Sequence, residues 1–218
     1  MFSKLKWPAL VASAGLALAL VPTALAAAGG GVCQLNGTAA FSPGLGASAQ
    51  NFSYSFSGSL TQCQSNVSGA PASGTVSAGK VVNITGGQPT AGQEQFQEPV
   101  ATGNGGCSSS TTSGIAIATW ADGTQTVLQY ATTGAAAAVE LQGSVLPSVT
   151  LQAINPIENQ TDPSLDQPTS TTITTTRWAG YSPGGVLAFQ PPDPTACNTS
   201  AGVTTAGISG FIGLGSSS

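Results

Sequence analysis

Apolar and polar side chains alternate along the stretch NFSYSFSGSL, residues 51–60. Successive side chains of an extended strand point to opposite faces, so Phe52, Tyr54 and Phe56 share one face and four serines occupy the other. Similar short runs, rich in β-branched and aromatic residues, recur along the chain between clusters of Gly, Pro, Ser and Asn. Helical periodicity is nearly absent. This pattern predicts an all-β fold.

The expected fold is an antiparallel β-sandwich, immunoglobulin-like or jelly-roll-like, with two long loops and two disulfides; the strand number also fits a barrel. The segments 86–113 and 155–169 are predicted to be the long loops because they are polar, rich in Gly, Ser or Pro, and lack alternation. The predicted strands span residues 32–41, 52–62, 74–84, 115–121, 124–132, 137–146, 149–154, 170–178, 185–190 and 202–211.

One hairpin is well specified, in the stretch GIAIATWADGTQTVLQY. The Asp-Gly pair at positions 122–123 is expected to form a two-residue turn, since this dipeptide between alternating strands is a strong hairpin signal. That turn would pair Trp120 with Gln125. It would also place Ile117 and Leu128 together on the opposite face, which is predicted to be the core face.

The first residues have the layout of a secretory signal peptide. Lys4 and Lys6 precede an apolar run that ends in the small-residue triplet Ala24-Leu25-Ala26. We expect residues 1–26 to be removed. Residues 27–218 would then form a single secreted domain with no membrane segment after cleavage.

Four cysteines fit an exported chain, because an even number of cysteines is typical of a disulfide framework. We favour Cys33 with Cys63, since these two bracket what resembles one strand pair, and Cys107 with Cys197. The other pairings of four cysteines remain open. A zinc site is disfavoured because no two cysteines are closely spaced and the chain has no histidine.

The charge balance limits the classes of partner. After loss of the predicted signal, the cations are Lys80 and Arg177, against eight carboxylates. Nucleic acids and anionic membranes bind clusters of Lys and Arg, so we expect neither as a partner. Without histidine, the usual general base and the common catalytic triads are excluded. No nucleotide-binding motif occurs, and we expect no cofactor.

Carboxylates are the remaining candidates for chemistry. Glu94 with Glu98, or Glu158 with Asp162 or Asp166, would have to act as a glycosidase pair. We expect solvated loop acids instead, because nothing in the surrounding sequence predicts a raised pKa. Oxygen ligands from Glu158, Asp162 and Asp166 would suit a structural calcium ion.

Trp120 and Trp178 are the candidate ligand-binding residues. Each is predicted to lie on the less apolar face of its strand, with Gln125 and Gln129 beside Trp120 and threonines beside Trp178. An exposed ring among uncharged hydrogen-bonding groups suits stacking against a sugar. In the alternative interpretation, both tryptophans cap the ends of the core.

The sequence therefore predicts a secreted, non-enzymatic structural or interaction protein of the cell exterior. A surface rich in Ser and Thr and poor in charge suits self-association or hydrogen bonding to a neutral polysaccharide. A carbohydrate-binding module that uses surface tryptophans is the first alternative. A glycoside hydrolase with loop carboxylates is the second.

Overall fold

The structure is a computed structural model that describes residues 30–84, 94–154, 156 and 167–216. These residues form an all-β fold with no α-helix among them, as the alternating pattern predicts. The predicted signal peptide lies outside the described residues. The strands are β1 (Gly31–Leu45), β2 (Gln50–Ser65), β3 (Gly74–Ala78), β4 (Val81–Ile84), β5 (Glu94–Gln97), β6 (Ala101–Gly105), β7 (Ser109–Trp120), β8 (Gln125–Ala135), β9 (Ala138–Leu146), β10 (Ser148–Ala153), β11 (Ser170–Thr174), β12 (Tyr181–Gln190) and β13 (Val203–Ser216), with a short 3-10 helix at Pro194–Asn198.

The larger sheet closes into a barrel with eight strand positions around its circumference, here called staves. Their order is β1, β2, β3, β7, β8, β9, β12 and β13. Neighbouring staves are antiparallel, and β1 pairs with both β2 and β13, which joins the two ends of the sheet. The molecule is thus an up-and-down barrel with an attached sheet and not a plain sandwich. Strand spacing does not separate the two architectures, because closure depends on pairing between strands at opposite ends of the chain.

One stave consists of two strands, β3 and β6. Near one end of the barrel β3 pairs with β2 and β7, and near the other end β6 pairs with the same two strands. The chain leaves the barrel after β3 at Gly79, whose φ of 65° favours glycine. The prediction of a single strand over residues 74–84 is therefore wrong. The predicted loop 86–113 is also wrong for its described residues 94–113, which contain β5, β6 and the start of β7. The strand β6, with the sequence ATGNG, carries no alternation signal that would reveal it.

A second sheet, here called the small sheet, packs on the outside of the barrel with the strand order β11-β10-β5-β4. It contributes Phe96, Val149 and Leu151 to a buried apolar cluster. Ile117 of β7 and Val127 of β8 complete the cluster from the outer face of the barrel. The outside of the barrel is therefore apolar where the small sheet covers it.

The hairpin between β7 and β8 has a three-residue loop instead of the predicted two-residue turn. The N–H of Trp120 donates to the carbonyl of Thr124 (2.9 Å), and Gly123 has a φ of 81°. A left-handed residue at the end of the loop is typical of three-residue hairpin connections. As a result, Gln125 pairs with Thr119 and not with Trp120. A shift of one residue moves side chains to the other face of the strand.

The same shift separates Ile117 from Leu128, which were expected to share one core face. Ile117 pairs with Val127 and faces the small sheet. Leu128 pairs with Ala116 and faces the inside of the barrel. Both faces of this hairpin are consequently packed against apolar side chains, one inside the barrel and the other under the small sheet.

Two disulfides, Cys33–Cys63 and Cys107–Cys197, lie at opposite ends of the barrel. This is the pairing favoured from the sequence. The first links the neighbouring strands β1 and β2, and the second links the β6–β7 turn to the 3-10 helix between β12 and β13. Disulfides are typical of proteins that fold in an oxidising compartment.

Removal of the second disulfide is expected to destabilise the protein more than removal of the first. The cysteines are 90 residues apart in Cys107–Cys197 and 30 apart in Cys33–Cys63. Because loop-closure entropy grows with the logarithm of loop length, replacing the second pair by alanines should cost about 1 kcal/mol more. Urea unfolding of the two double variants measures the difference. Equal costs, or a larger cost for Cys33–Cys63, would contradict this explanation.

Candidate functional site

The inward-facing side chains of the staves line a cavity of about 120 Å³, here called the lumen. Phe52, Tyr54 and Phe56 of β2 all face it, as their alternation predicts. A barrel of eight strands is at the size where side chains either fill the interior or leave room for one small ligand. The apolar lining also includes Leu35, Ala39, Ala116, Leu128, Val139, Leu141, Leu187, Ile208 and Ile212.

Aromatic rings lie against the wall of the lumen where glycines leave room for them. A Cβ atom added to Gly37 would lie 2.5 Å from Cζ of Phe56, and one added to Gly58 would lie 2.8 Å from the same atom. Because Gly37 and Gly58 are paired across β1 and β2, the ring of Phe56 packs directly on the pair. The ring of Phe52 packs on Gly103 in the same way. Rings held at the wall help to keep the centre of the barrel unfilled.

Four hydroxyl groups form a continuous hydrogen-bonded series in the lumen. The hydroxyl oxygens of Tyr130 and Tyr54 are 2.6 Å apart, and those of Tyr54 and Thr112 are 3.1 Å apart. Thr112 and Thr132 face each other across β7 and β8, with 2.7 Å between their oxygens. We call these four residues the hydroxyl row, and all four line the cavity. A mostly apolar cavity with a few fixed polar groups is the usual composition of a small-molecule site.

Both tyrosines of the hydroxyl row are protonated at neutral pH. Burial raises the pKa of Tyr54, although its hydrogen bonds with Thr112 and Tyr130 act in the opposite direction. Burial also raises the pKa of Tyr130, and the neighbouring Tyr54 adds to that effect. The described residues that line the cavity include no charged side chain. The lumen is therefore an uncharged environment whose side-chain polar atoms are hydroxyls.

Trp120 and Trp178, predicted to form an exposed platform, are buried together at one end of the barrel. Trp120 is 5% exposed and Trp178 is 8% exposed. Their ring centroids are 6.3 Å apart in an edge-to-face arrangement, and Tyr181 packs on Trp178 at 5.3 Å. The one-residue shift in the β7–β8 hairpin turns Trp120 inward. The exposed rings that a sugar platform needs are thus missing at both positions, and the alternative of core-capping tryptophans matches their burial.

Gln125 and Gln129, the other two predicted ligand-binding residues, lie on the outer face of β8. They share this face with Val127, which packs under the small sheet. Gln125 is half-buried and Gln129 is exposed. The structure therefore does not bring the four predicted residues together.

Hydrogen bonds hold the segment that carries Trp178. The indole N–H of Trp120 donates to Thr126 Oγ1 (2.9 Å), and the Thr126 hydroxyl donates to the carbonyl of Arg177 (2.9 Å). Arg177 also pairs with Asp122 at 2.8 Å. Trp178 has a φ of 64°, and its own indole N–H is buried without a partner among the described residues. The position of Trp178 is therefore fixed by its neighbours, against an unfavourable backbone conformation.

The residues proposed to bind calcium, Glu158, Asp162 and Asp166, lie outside the described residues. Within the part of the chain that the structure describes, no group of three or more His, Cys, Asp or Glu side chains is placed to hold a metal ion.

Glu98, predicted to be a solvated loop acid, is buried with 1% exposure. Ser77 Oγ donates to its Oε1 (2.5 Å), and the N–H of Lys80 donates to its Oε2 (2.9 Å). Burial raises the pKa of the carboxyl group, and these hydrogen bonds oppose the change. The N–H of Glu98 also donates to the carbonyl of Lys80 (2.9 Å). Glu98 therefore fixes the point where the chain leaves the barrel between β3 and β6, and it does not line the lumen.

Comparison of the chain with models of known families, with curated proteins and with solved structures finds no significant match. Among the described residues, no helix is long and apolar enough to span a membrane. The candidate site is consequently defined by its geometry.

The hydroxyl row was not predicted from the sequence. Tyr54 falls on the predicted apolar face of its strand, but Thr112 falls in a segment predicted to be a loop. A signal was present in the run SSSTTSG, residues 108–114, if it is interpreted as a strand that continues into the apolar part of β7. Thr112 then falls on the same face as Ala116 and Trp120.

The free energy of unfolding is expected to fall as the pH rises, because the carboxyl group of Glu98 then loses its proton. Its pKa in the folded state is raised above the ordinary value of 4.5, so the folded protein holds this proton more tightly than the unfolded chain. Its stabilising contribution is complete below about pH 4.5 and is lost as the pH rises through the raised pKa. Urea unfolding between pH 4 and pH 8 should show this decline, and Glu98→Gln should flatten it.

Glu140→Gln is the control for this measurement, because Glu140 is exposed on β9. This variant should keep the pH dependence of the unchanged protein. The same decline in Glu98→Gln as in the unchanged protein would disprove the assignment to Glu98.

Proposed function

We propose that the protein is a secreted, non-enzymatic binding protein whose barrel holds one small apolar molecule. The observation that carries the proposal is the unfilled lumen of about 120 Å³ on the inside of a closed barrel. Protein interiors are otherwise packed as densely as organic crystals. An apolar cavity of about 150 Å³ in another protein stays dry and binds benzene, so a ligand about as large as one aromatic ring fits this space.

The exposure of the inward-facing side chains supports this proposal. Phe56, Leu128, Val139 and Leu141 all face the interior, yet each is only half-buried. Their accessible surface belongs to the cavity, because they point away from the outside of the barrel. An empty cavity of 120 Å³ lowers the free energy of unfolding by about 3 kcal/mol, at about 24 cal/mol per Å³. A bound apolar ligand would recover part of this free energy.

The other parts of the proposal rest on the chemistry of the chain. Two disulfides favour an oxidising compartment, in agreement with the signal peptide predicted for residues 1–26. The polar side chains of the lumen are hydroxyls without a charged neighbour in the lining, an arrangement suited to holding a ligand and not to acid–base catalysis.

A second candidate function, contact with neutral polysaccharide, is favoured by an open groove on the outside of the barrel. The groove lies across the end of β1 and across β2, β6 and β7, and the amide of Asn104 donates to Asn51 Oδ1 in it (2.8 Å). Uncharged amides and hydroxyls can hydrogen-bond to sugar hydroxyls without electrostatic steering. The polar side chains of the groove are Ser42, Asn51, Ser53, Thr102, Asn104, Thr111 and Ser113.

Self-association, the other interaction expected from the sequence, would use the small sheet. Closure leaves the barrel without an edge strand, whereas β4 and β11 are the two edges of the small sheet.

Filling the lumen is expected to abolish binding of small apolar molecules. Val139 faces the lumen and is paired with Leu187, so Val139→Phe places a ring in the cavity. The unchanged protein should be stabilised by isopropylbenzene in thermal unfolding, by about 2.7 kcal/mol at a concentration 100 times Kd. Val139→Phe should lose this stabilisation.

The matched control is Val186→Phe, because Val186 is 63% exposed on the outer face of the neighbouring stave. This variant should respond to isopropylbenzene like the unchanged protein. Absence of any response in the unchanged protein would disprove the proposed function, and an equal response in Val139→Phe would show that binding occurs outside the lumen.

Polysaccharide contact is tested by co-sedimentation with insoluble neutral polysaccharides. Asn51→Ala combined with Asn104→Ala should reduce the bound fraction, since it removes two amides of the groove. Asn36→Ala, on the exposed face of β1 outside the groove, should not. Equal binding by all variants, or no binding by the unchanged protein, would reject the groove as the site for the polymers used.

A further inference from the structure

The hydroxyl row contains one more proton than its hydrogen bonds require. Each hydroxyl donates one hydrogen, so four hydroxyls in series carry four protons for three bonds. The surplus proton belongs to whichever of the four hydroxyls donates to none of the others. Among the described residues, none of the four hydroxyls has a partner outside the row. One donor is therefore available to an acceptor in the lumen.

The lumen offers no compensation for a charged ligand. Arg177 is paired with Asp122 outside the barrel. Lys80 lies at the exit of the chain from the barrel, where its N–H binds Glu98. Neither cation lines the cavity. An anion in the lumen would lose its hydration and gain only hydroxyl contacts, which do not offset the loss.

We propose that the lumen selects a small neutral molecule with one hydrogen-bond acceptor, such as an aromatic ketone. The acceptor binds the surplus donor of the hydroxyl row, and the apolar part of the molecule occupies the remaining cavity. Both the apolar molecule of the same shape and the carboxylate of the same shape bind more weakly. This inference rests on the proposed function, since it assumes that the lumen binds a ligand.

Three probes of similar shape test the selection: acetophenone, isopropylbenzene and benzoate, titrated at pH 7 by calorimetry. They present to the lumen a neutral acceptor, no polar group and an anion. Acetophenone is expected to bind about 5- to 10-fold more tightly than isopropylbenzene, the equivalent of one net hydrogen bond of about 1 kcal/mol. Benzoate is expected to bind more weakly than either.

A hydroxyl-free variant tests whether the row is responsible. It combines Tyr54→Phe, Tyr130→Phe, Thr112→Val and Thr132→Val, which keep the shape of the wall. Replacing all hydrogen-bond partners by apolar groups of the same shape leaves no polar group unpaired, so the fold should be retained. Acetophenone should lose its advantage, while isopropylbenzene should bind as before. Tyr181→Phe, a tyrosine beside Trp178 and outside the row, should keep the preference.

The outcomes separate this inference from the proposed function. If none of the probes binds, the lumen is not a ligand site and both proposals fail. If isopropylbenzene binds as tightly as acetophenone, the proposed function holds and the selection is wrong. If benzoate binds most tightly, the selection is wrong, and the proposed function holds only if isopropylbenzene also binds. The three titrations of the unchanged protein decide this even if the hydroxyl-free variant does not fold.

Discussion

Pairing of β1 with both β2 and β13 closes the larger sheet, and most features of the molecule depend on that closure. A closed barrel presents no row of unpaired N–H and C=O groups to other chains. Natural sheets often guard such edges with lysines and other charges. The closed barrel needs few charged residues to prevent pairing with other chains. This explains how its strands can carry serine and threonine on their outer face in a chain that is only 6% charged.

Closure also determines where apolar surface can be buried. Inward-facing residues of all staves share one interior, and the outer face is buried under other residues around Ile117 and Val127. The small sheet supplies that cover, and two of its strands come from the interruption between β3 and β6. The buried carboxylate of Glu98, at the end of this interruption, accepts hydrogen bonds from Ser77 and Lys80 at its start. The inside thus keeps a cavity, while part of the outside is covered by the small sheet.

Local pattern predicted the all-β class, most of the strands and the inward face of β2, and the bracketing of one strand pair favoured the disulfide pairing that the structure contains. Features set by more distant or subtler interactions were not predictable. An Asp-Gly pair fits both a two-residue turn and a three-residue loop, and the choice decides whether Trp120 faces inward. The hydroxyl row joins side chains from β2, β7 and β8, so it exists only once the barrel has closed.

The buried pair of Trp120 and Trp178 provides an intrinsic spectroscopic signal for one end of the barrel. Two of the three tryptophans of the chain are held edge to face at 6.3 Å, in a fixed asymmetric environment. Coupled indoles of this kind produce a near-ultraviolet circular dichroism band that disappears when their relative orientation is lost. The other end of the barrel is closed by Phe41, Phe52 and Phe189, which contribute little at those wavelengths. Opening of the two ends can therefore be told apart spectroscopically without attaching a dye.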